Sequence, residues 1–136
     1  ETDGTDRARI ASVIYNRLNN PSAGTAGYLQ IDATLAYING GHVPIEADKS
    51  IDSPYNTYLY DGLPPGAISS PGLDALSAAM FPVAPQTDSG RDIDAYFFVS
   101  NDAGKTYYAS SKSVHAHNVA QAKKDNEAIK NGNYEG

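Results

Sequence analysis

A run of four residues, Tyr55-Asn56-Thr57-Tyr58, joins flat aromatic rings to short hydrogen-bonding side chains. Surfaces that bind sugars need both: rings that lie against C–H faces, and amides or hydroxyls that contact hydroxyl and N-acetyl groups. The chain has 10 Tyr, 3 Phe and no Trp, so tyrosine must supply any stacking surface. A half-buried structural role is commoner for any one tyrosine. The cluster nevertheless favours a glycan-binding surface, and all four residues are candidates for substrate binding.

Two prolines stiffen the segment that follows this run. Pro64 and Pro65 each fix the backbone φ angle, and Pro65-Gly66 suits a type II turn. A stiff segment of this kind could form the wall of a binding groove. A purely structural turn is the competing interpretation.

Gln30 and Asp32 form a second candidate pair. They are separated by one residue, so their side chains share a face if the segment is extended. They are candidates to hydrogen-bond a sugar or to orient a catalytic acid. For Asp32, capping a helix that begins at Ala33 is an equally good alternative.

Three further polar residues are candidates on predicted helices. Asn16 and Arg17 leave the apolar stripe of the first helix, and Arg17 could hold a carboxylate of the substrate or of the site. A surface salt bridge is the alternative for Arg17. His115 is a candidate neighbour of the site, although a hydrogen-bonded packing role is commoner. Because His115 and His117 do not face each other on a helix and the chain has no Cys, no metal site is predicted.

The elements that must position these residues are predicted from periodicity and end signals. Helices are expected over Thr5–Asn20, Ala33–Ile38, Pro71–Phe81 and Ser113–Lys130. In the third helix Leu73, Leu76, Ala79 and Met80 should face inward, and in the fourth Ser113 should cap the start. Ala95–Ser100 and Thr106–Ala109 should pair as an antiparallel hairpin around Asp102-Ala103-Gly104. The expected class is α+β, a single domain with helices packed on a small antiparallel sheet.

Composition narrows the function classes. A chain of 136 residues, with 40% hydrophobic and 19% charged residues, suits one globular domain. The formal net charge of −6 provides no basic face for a phosphate backbone, which argues against a nucleic-acid partner. The absence of Cys excludes disulfides and thiolate catalysis. No apolar run approaches the ~20 residues that a membrane span requires.

Four stretches, read in order, resemble the YceG-like endolytic murein transglycosylases (the MltG type). The first joins Glu1-Thr2 to Arg7, Ile10-Ala11-Ser12-Val13 and Asn16-Arg17-Leu18; the second is Leu29-Gln30-Ile31-Asp32-Ala33-Thr34 with Tyr37. The third runs from Ser53-Pro54 through Tyr58 to Gly62-Leu63-Pro64-Pro65-Gly66-Ala67-Ile68 and Pro71-Gly72. The fourth is Tyr96-Phe97-Phe98-Val99, with Tyr108 and His115 downstream. The resemblance covers nearly the whole chain.

The resemblance implies a reaction, a compartment and partners. Such enzymes are anchored on the outer face of the cytoplasmic membrane and cut peptidoglycan glycan strands internally at the MurNAc–GlcNAc bond. They leave 1,6-anhydro-N-acetylmuramic acid ends and use no cofactor. Glu1 falls on the family's catalytic glutamate, so the resemblance makes it the expected acid and then base. Peptidoglycan synthases are the expected partners of the full-length protein.

The chain also departs from the family pattern. It would be the C-terminal part of the catalytic domain, with the upstream helix, the LysM-like region and the membrane anchor absent. The fragment is therefore expected to be weakly active or inactive. Residues 84–94 form a longer loop than usual, and Glu1, Gln30, Asp32, Tyr55, Asn56 and Thr57 are expected on one concave surface.

Two other functions compete with the transglycosylase. A non-catalytic glycan-binding module would keep the tyrosine surface and perform no reaction. An aminodeoxychorismate lyase would need pyridoxal phosphate on a Schiff-base lysine. The six lysines lie in predicted loops, a turn or a polar helix, and no Gly-rich phosphate cradle accompanies them, so this second alternative is disfavoured.

Overall fold

The computed structural model describes residues 4–136, and their side chains from Asp6 onward. Four α-helices are present: α1 Gly4–Asn19, α2 Asp32–Ile38, α3 Leu73–Met80 and α4 Lys112–Lys130, with a 3-10 helix at Glu46–Ser50. Two strands, β1 Phe97–Ser100 and β2 Thr106–Ala109, pair antiparallel with Phe97 opposite Ala109 and Ser100 opposite Thr106. The α+β class and the hairpin are thereby confirmed.

The chain divides into two compact units. The first unit comprises the chain up to Asn16 together with Gly72–Gly136, and the second unit is Arg17–Pro71. Each unit has its own buried apolar residues, such as Val13 and Phe97 in the first and Leu29 and Leu35 in the second.

The hairpin and α4 form the frame of the first unit. Helix α4 packs against both strands and buries Ala122, while Phe97 and Ala109 are buried at one end of the ladder. The hydroxyl of Ser111 accepts a hydrogen bond from the Val114 amide at 3.3 Å and so caps α4. The prediction of Ser113 as the cap was wrong, because the helix begins at Lys112, directly after the strand returns.

Helix α3 differs from its prediction in length and in orientation. It begins at Leu73, two residues after the expected Pro71, and Gly72 is its N-cap. The expected inward face is exposed: Leu73 is 81% and Met80 72% accessible, whereas Ala78 is buried. The apolar residues of this short helix lie on almost every side, so periodicity did not define a direction.

In the second unit, α2 ends as expected and begins one residue early. Gly40 and Gly41 have φ angles of 86° and 97°, and the Gly41 amide donates to the Ala36 carbonyl at 2.7 Å, which closes the helix end. The N-cap is Ile31, so Asp32 lies inside the helix. The prediction that Asp32 caps α2 was therefore wrong, and its carboxylate is available to another partner.

Candidate active site

The segment Leu29–Asp32 of the second unit is fixed by the side chain and backbone of Thr57. The Gln30 amide donates to the Thr57 carbonyl at 3.1 Å, and the Ile31 amide donates to Thr57 Oγ1 at 2.9 Å. Thr34 Oγ1 lies 2.9 Å from Thr57 Oγ1 and donates to the Ile31 carbonyl at 2.6 Å. The threonine hydroxyls thus replace a regular strand ladder and hold the segment in one conformation.

Gln30 lies at a strained point of this segment. Its φ angle is +51°, in the left-handed region that glycine occupies without cost and other residues rarely adopt. The residue is exposed. Backbone strain of this kind persists only where surrounding contacts determine it, and it is concentrated at functional sites.

Asn56 and Thr57 are the buried supports of the same region. The Asn56 side chain is 0% and Thr57 1% accessible. Asn56 Nδ2 donates to the Lys49 and Ile51 carbonyls at 3.1 and 2.8 Å, and its Oδ1 accepts from the Tyr58 amide at 2.9 Å. In this conformation neither side chain offers polar surface to a glycan, and their substrate contact stays a prediction.

Tyr58 and Asp32 form a hydrogen-bonded pair on the exposed side. The Tyr58 hydroxyl donates to Asp32 Oδ1 at 2.5 Å. Burial, and then the hydrogen bond and charge of Asp32, raise the pKa of the Tyr58 phenol above its ordinary value. Lys49 Nζ lies 5.0 Å from the centre of the Tyr58 ring, at a cation–π distance. The phenol therefore stays protonated, and its donated hydrogen bond orients the Asp32 carboxylate.

Arg17 is a buried residue of the second unit and interacts electrostatically with Tyr58. Its side chain is 5% accessible, and its Nη1 donates to the Leu29 carbonyl. Burial lowers the pKa of Arg17 to about 10, so the guanidinium is still charged at neutral pH. The prediction that Arg17 leaves the apolar stripe of α1 was wrong, because the side chain is buried four residues after Val13.

Tyr55 contributes aromatic surface to the second unit. Its ring centre lies 4.9 Å from that of Tyr37, with an angle of 39° between the planes. A Cβ atom at Gly66 would lie 3.2 Å from the Tyr55 hydroxyl. Gly66 does not have a positive φ angle, so the predicted type II turn was wrong. The glycine instead permits the close approach of Tyr55.

The remaining predicted residues lie elsewhere. Glu1, the expected catalyst, lies outside the described residues. Asn16 and His115 belong to the first unit, where Asn16 Nδ2 donates to the Ala95 carbonyl at 2.9 Å and the His115 ring stacks on Phe97 at 5.2 Å. The predicted concave surface that joins Glu1 to the tyrosine run stays a prediction.

Sequence reasoning missed an acidic centre in the first unit. The side chain of Asp6 is buried and accepts hydrogen bonds from the Tyr108 hydroxyl at 2.9 Å, Thr106 Oγ1 at 3.4 Å and Arg9 Nη1 at 3.4 Å. Burial, and then the bond to Asp6, raise the pKa of Tyr108. Position 6 precedes Ile10 by four residues and so lies on the apolar stripe of α1. An acidic residue on an apolar stripe is the feature of the sequence that could have indicated a buried carboxylate.

Over residues 4–136, no three or more His, Asp and Glu side chains are grouped to hold a metal ion. No helix in that range is long and apolar enough to cross a bilayer.

Comparisons with known proteins identify the family of the chain. The sequence profile of the YceG-like family matches residues 1–121, and the chain belongs to this family. It is similar to the endolytic murein transglycosylase of Streptococcus pneumoniae strain D39, with 37% identity over 118 residues, which are 85% of this chain and 20% of that protein. It is also similar to the endolytic murein transglycosylase of Bacillus subtilis strain 168, with 36% identity over 124 residues, which are 90% of this chain and 30% of that protein.

A solved structure shares this fold. The crystal structure of a yceG-like protein from Listeria monocytogenes is similar with a TM-score of 0.69 and 37% identity, over 85% of this chain and 34% of that one. The chain thus spans about a fifth to a third of the length of these relatives.

Proposed function

We propose that this chain is the glycan-contacting part of an endolytic peptidoglycan transglycosylase that cuts the MurNAc–GlcNAc bond and leaves 1,6-anhydro ends. The observation that carries the proposal is the fixed segment Leu29–Asp32: an exposed Gln30 in a strained backbone, beside the Tyr58–Asp32 pair. Catalytic and binding groups must be held in one geometry before substrate arrives, and this segment meets that requirement.

Glu1 is the proposed acid and base of the reaction. Its carboxyl group donates a proton to the glycosidic oxygen as the C1–O bond breaks. The C6 hydroxyl of the same muramic acid then attacks C1, and the Glu1 carboxylate accepts the hydroxyl proton. A second carboxylate, which hydrolases use as nucleophile or base, is unnecessary because the substrate supplies the nucleophile.

The described residues have complementary proposed roles in this reaction. Gln30 and Asp32 hydrogen-bond the sugar, and Tyr55 and Tyr58 offer the aromatic surface against which its C–H face lies. Buried Arg17 is a positioning residue that acts through the Leu29 carbonyl. Buried Asn56 and Thr57 likewise act by fixing the segments that carry Tyr58 and Gln30. Asn16 and His115 are further residues proposed to bind substrate.

The proposed substrate is the peptidoglycan glycan strand, and the proposed compartment is the bacterial cell envelope at the outer face of the cytoplasmic membrane. The homology to proteins named endolytic murein transglycosylases supports both. Peptidoglycan synthases are the proposed partners of the full-length protein, which would be membrane-anchored.

The test replaces Glu1 by Gln in a full-length protein that contains this chain. General acid/base catalysis contributes about two to four orders of magnitude, so release of anhydro-muramyl ends from purified sacculi should fall by about that factor. Sacculus binding should persist, because the amide keeps the shape of the carboxyl group. Glu127→Gln, on the exposed side of α4, is the matched control and should leave the rate unchanged.

Two outcomes would contradict the proposal. Wild-type-like product release by Glu1→Gln would remove Glu1 as the catalyst. A wild-type protein that binds sacculi and releases no anhydro ends would be a glycan-binding module instead of an enzyme.

A further inference from the structure

The first unit contains a surface pocket of about 550 Å³ that none of the roles above uses. Its walls come from three places in the chain: the loop before β1, the β2 strand and the first turn of α4. The lining includes Arg91, Ile93, Asp94, Tyr96, Tyr108 and Val114. A pocket of this volume is large enough for one sugar ring and its substituents.

The loop that carries Arg91 is a closed hairpin. The Ile93 amide donates to the Pro85 carbonyl at 2.7 Å, and the Thr87 amide donates to the Arg91 carbonyl at 2.8 Å. Between these bonds, Gln86 Nε2 donates to Asp92 Oδ1 at 2.9 Å. These three hydrogen bonds across the hairpin fix the Arg91 backbone at the pocket. Little further ordering of the loop is therefore needed when a ligand binds.

Arg91 and Asp94 supply a charged donor and a charged acceptor to the pocket. Both residues are exposed, and neither side chain makes a hydrogen bond or ion pair with any residue of the described chain. A guanidinium donates in a planar fork and a carboxylate accepts, so together they can bind adjacent hydroxyl and amide groups. Their hydrogen-bonding capacity is available to a ligand.

The other walls are apolar or aromatic. Ile93 and Val114 provide aliphatic surface, and the Tyr96 and Tyr108 rings are half-buried at the pocket. The Tyr108 hydroxyl is engaged by Asp6, which fixes this ring. Aromatic faces beside a few polar groups suit a ring with a C–H face, and aliphatic surface suits an acetyl methyl group.

The charges of the pocket select among ligands. One cation, Arg91, stands against the two carboxylates of Asp92 and Asp94, which leaves a formal charge of −1. This balance disfavours a peptide stem that carries several carboxylates and favours a neutral, hydroxyl-rich ligand.

We propose that this pocket binds a neutral N-acetylated sugar, an N-acetylglucosamine unit of the glycan strand. The choice of sugar rests on the proposed function, whereas the pocket and its polar groups do not. The pocket is thus a proposed glycan contact within the first unit.

The test uses the 136-residue chain, labelled with ¹⁵N, and chitotetraose, the β-1,4-linked tetramer of N-acetylglucosamine. Addition of the tetramer should shift the amide resonances of Ile93, Ser110 and Val114, which line the pocket. The double variant Arg91→Ala/Asp94→Ala should bind at least about tenfold more weakly, because hydrogen bonds to charged groups are lost. Asp88→Ala, at the tip of the same hairpin and outside the pocket, should bind like the wild type.

Three results would overturn the inference: no shift of these amides, equal affinity of the double variant, or shifts caused by a stem pentapeptide and not by chitotetraose. The outcome is separable from that of Glu1→Gln, because binding is measured without cleavage. If the pocket does not respond while product release depends on Glu1, this inference fails and the proposed reaction stands. If the pocket binds the tetramer and no anhydro ends form, the reaction fails and the pocket stands.

Discussion

Gln30 lowers the stability of the fold through its backbone conformation and also has a proposed role in the site. Holding a non-glycine residue in the left-handed region costs about 1–2 kcal/mol. The bonds from the Gln30 and Ile31 amides to Thr57 compensate for that cost. A glycine would adopt this backbone conformation equally well but would lack the side-chain carboxamide. The presence of Gln therefore indicates a role for its side chain.

We therefore predict that Gln30→Gly separates stability from function. Relief of the left-handed strain should raise the free energy of unfolding by about 0.5–1 kcal/mol, after the extra freedom of glycine in the unfolded chain is subtracted. Sacculus binding should weaken, because the side-chain carboxamide of Gln30 is lost. Urea unfolding measures the first effect and a sacculus pull-down the second.

Gln30→Ala is the matched control, because it removes the amide and keeps the strain. It should bind as weakly as Gln30→Gly without any gain in stability. A glycine variant no more stable than the alanine variant would show that residue 30 is not strained.

Arg17 shows where residue-level prediction fails. The guanidinium was predicted to lie off the apolar stripe and to hold a carboxylate, with a surface salt bridge as the alternative. Its acceptor is the Leu29 carbonyl, twelve residues away in the chain. The position four residues after Val13 is consistent with burial, but spacing alone does not identify the Leu29 carbonyl as an acceptor. The same applies to the acceptors of Asn56, the carbonyls of Lys49 in the 3-10 helix and of Ile51 directly after it.

A polar cluster joins the β-hairpin to α4. Asn101 Oδ1 accepts from the Ala103 and Lys105 amides at 2.9 and 3.0 Å and so shapes the turn. Its Nδ2 donates to Asp125 Oδ2 at 2.9 Å. Asp125 also accepts from the Tyr107 hydroxyl at 2.5 Å and Gln121 Nε2 at 2.9 Å. One carboxylate thereby binds the turn, a strand and its own helix.

We predict that Asp125→Ala lowers the melting temperature by about 5–10 °C, because three donors lose their acceptor. Hydrogen bonds from Tyr107, then from Asn101 and Gln121, lower the pKa of Asp125. A lowered folded-state pKa means that this contribution is complete above about pH 4, the ordinary carboxyl value, and is lost as the pH falls. Calorimetry at pH 7 and at pH 3 measures both effects.

Glu127→Ala is the control for this prediction, since Glu127 is exposed two residues further along α4. Its melting temperature should change little at either pH. A similar loss in both variants would assign the effect to helix charge instead of the cluster.

The accuracy of the element predictions follows the clarity of each pattern. In α1 and in the hairpin strands the apolar residues follow a single clear periodicity. The bounds of these elements were therefore predicted within two residues. Helix α3 has apolar residues at six of its eight positions, so no face was distinguished. Only packing in three dimensions selects the small Ala78 for burial and leaves Leu73 and Met80 exposed.

Tyrosine hydroxyls that donate hydrogen bonds to carboxylates make the stability of the fold decrease at alkaline pH. Burial, followed by the bond to Asp125, raises the pKa of Tyr107 to about 12. The pKa values of Tyr58 and Tyr108 are raised by burial and by Asp32 and Asp6. A raised folded-state pKa stabilises the fold fully below the unfolded value near pH 10, and the contribution is lost above it.

We predict that the protein loses stability as the pH rises above about 10, because these three phenols then ionise in the unfolded chain more readily than in the folded protein. Tyrosinate absorbance should show a late group of phenols that ionises above about pH 10 and coincides with loss of helical circular dichroism. The absence of Trp removes interfering indole absorbance. Tyr107→Phe should reduce the late group by one phenol. Titration of all ten tyrosines near pH 10 in the folded protein would contradict the assignment.

Family membership and fold class were predictable from the whole sequence, because the four stretches occur in order over most of the chain. Arg17, Gln30, Asp32, Tyr55 and Tyr58 all belong to the second unit, and their joint role in a glycan site stays a prediction. The sequence did not separate exposed from supporting side chains, since both kinds lie side by side in Tyr55–Tyr58. The pocket at Arg91 was also not predictable, because its walls come from three separate segments.

The base of the 85–93 hairpin is closed by hydrogen bonds, and this closure has a practical consequence for engineering. Its tip, Asp88-Ser89-Gly90, is exposed, and Gly90 has a φ angle of 84°. Because the base is closed by its own hydrogen bonds, the tip can be lengthened at a small entropic cost, about 0.6 kcal/mol for each doubling of the loop. The tip is thus a suitable attachment point for a fluorophore or an affinity tag, which would let the chain be tracked or immobilised on sacculi without altering either unit's core.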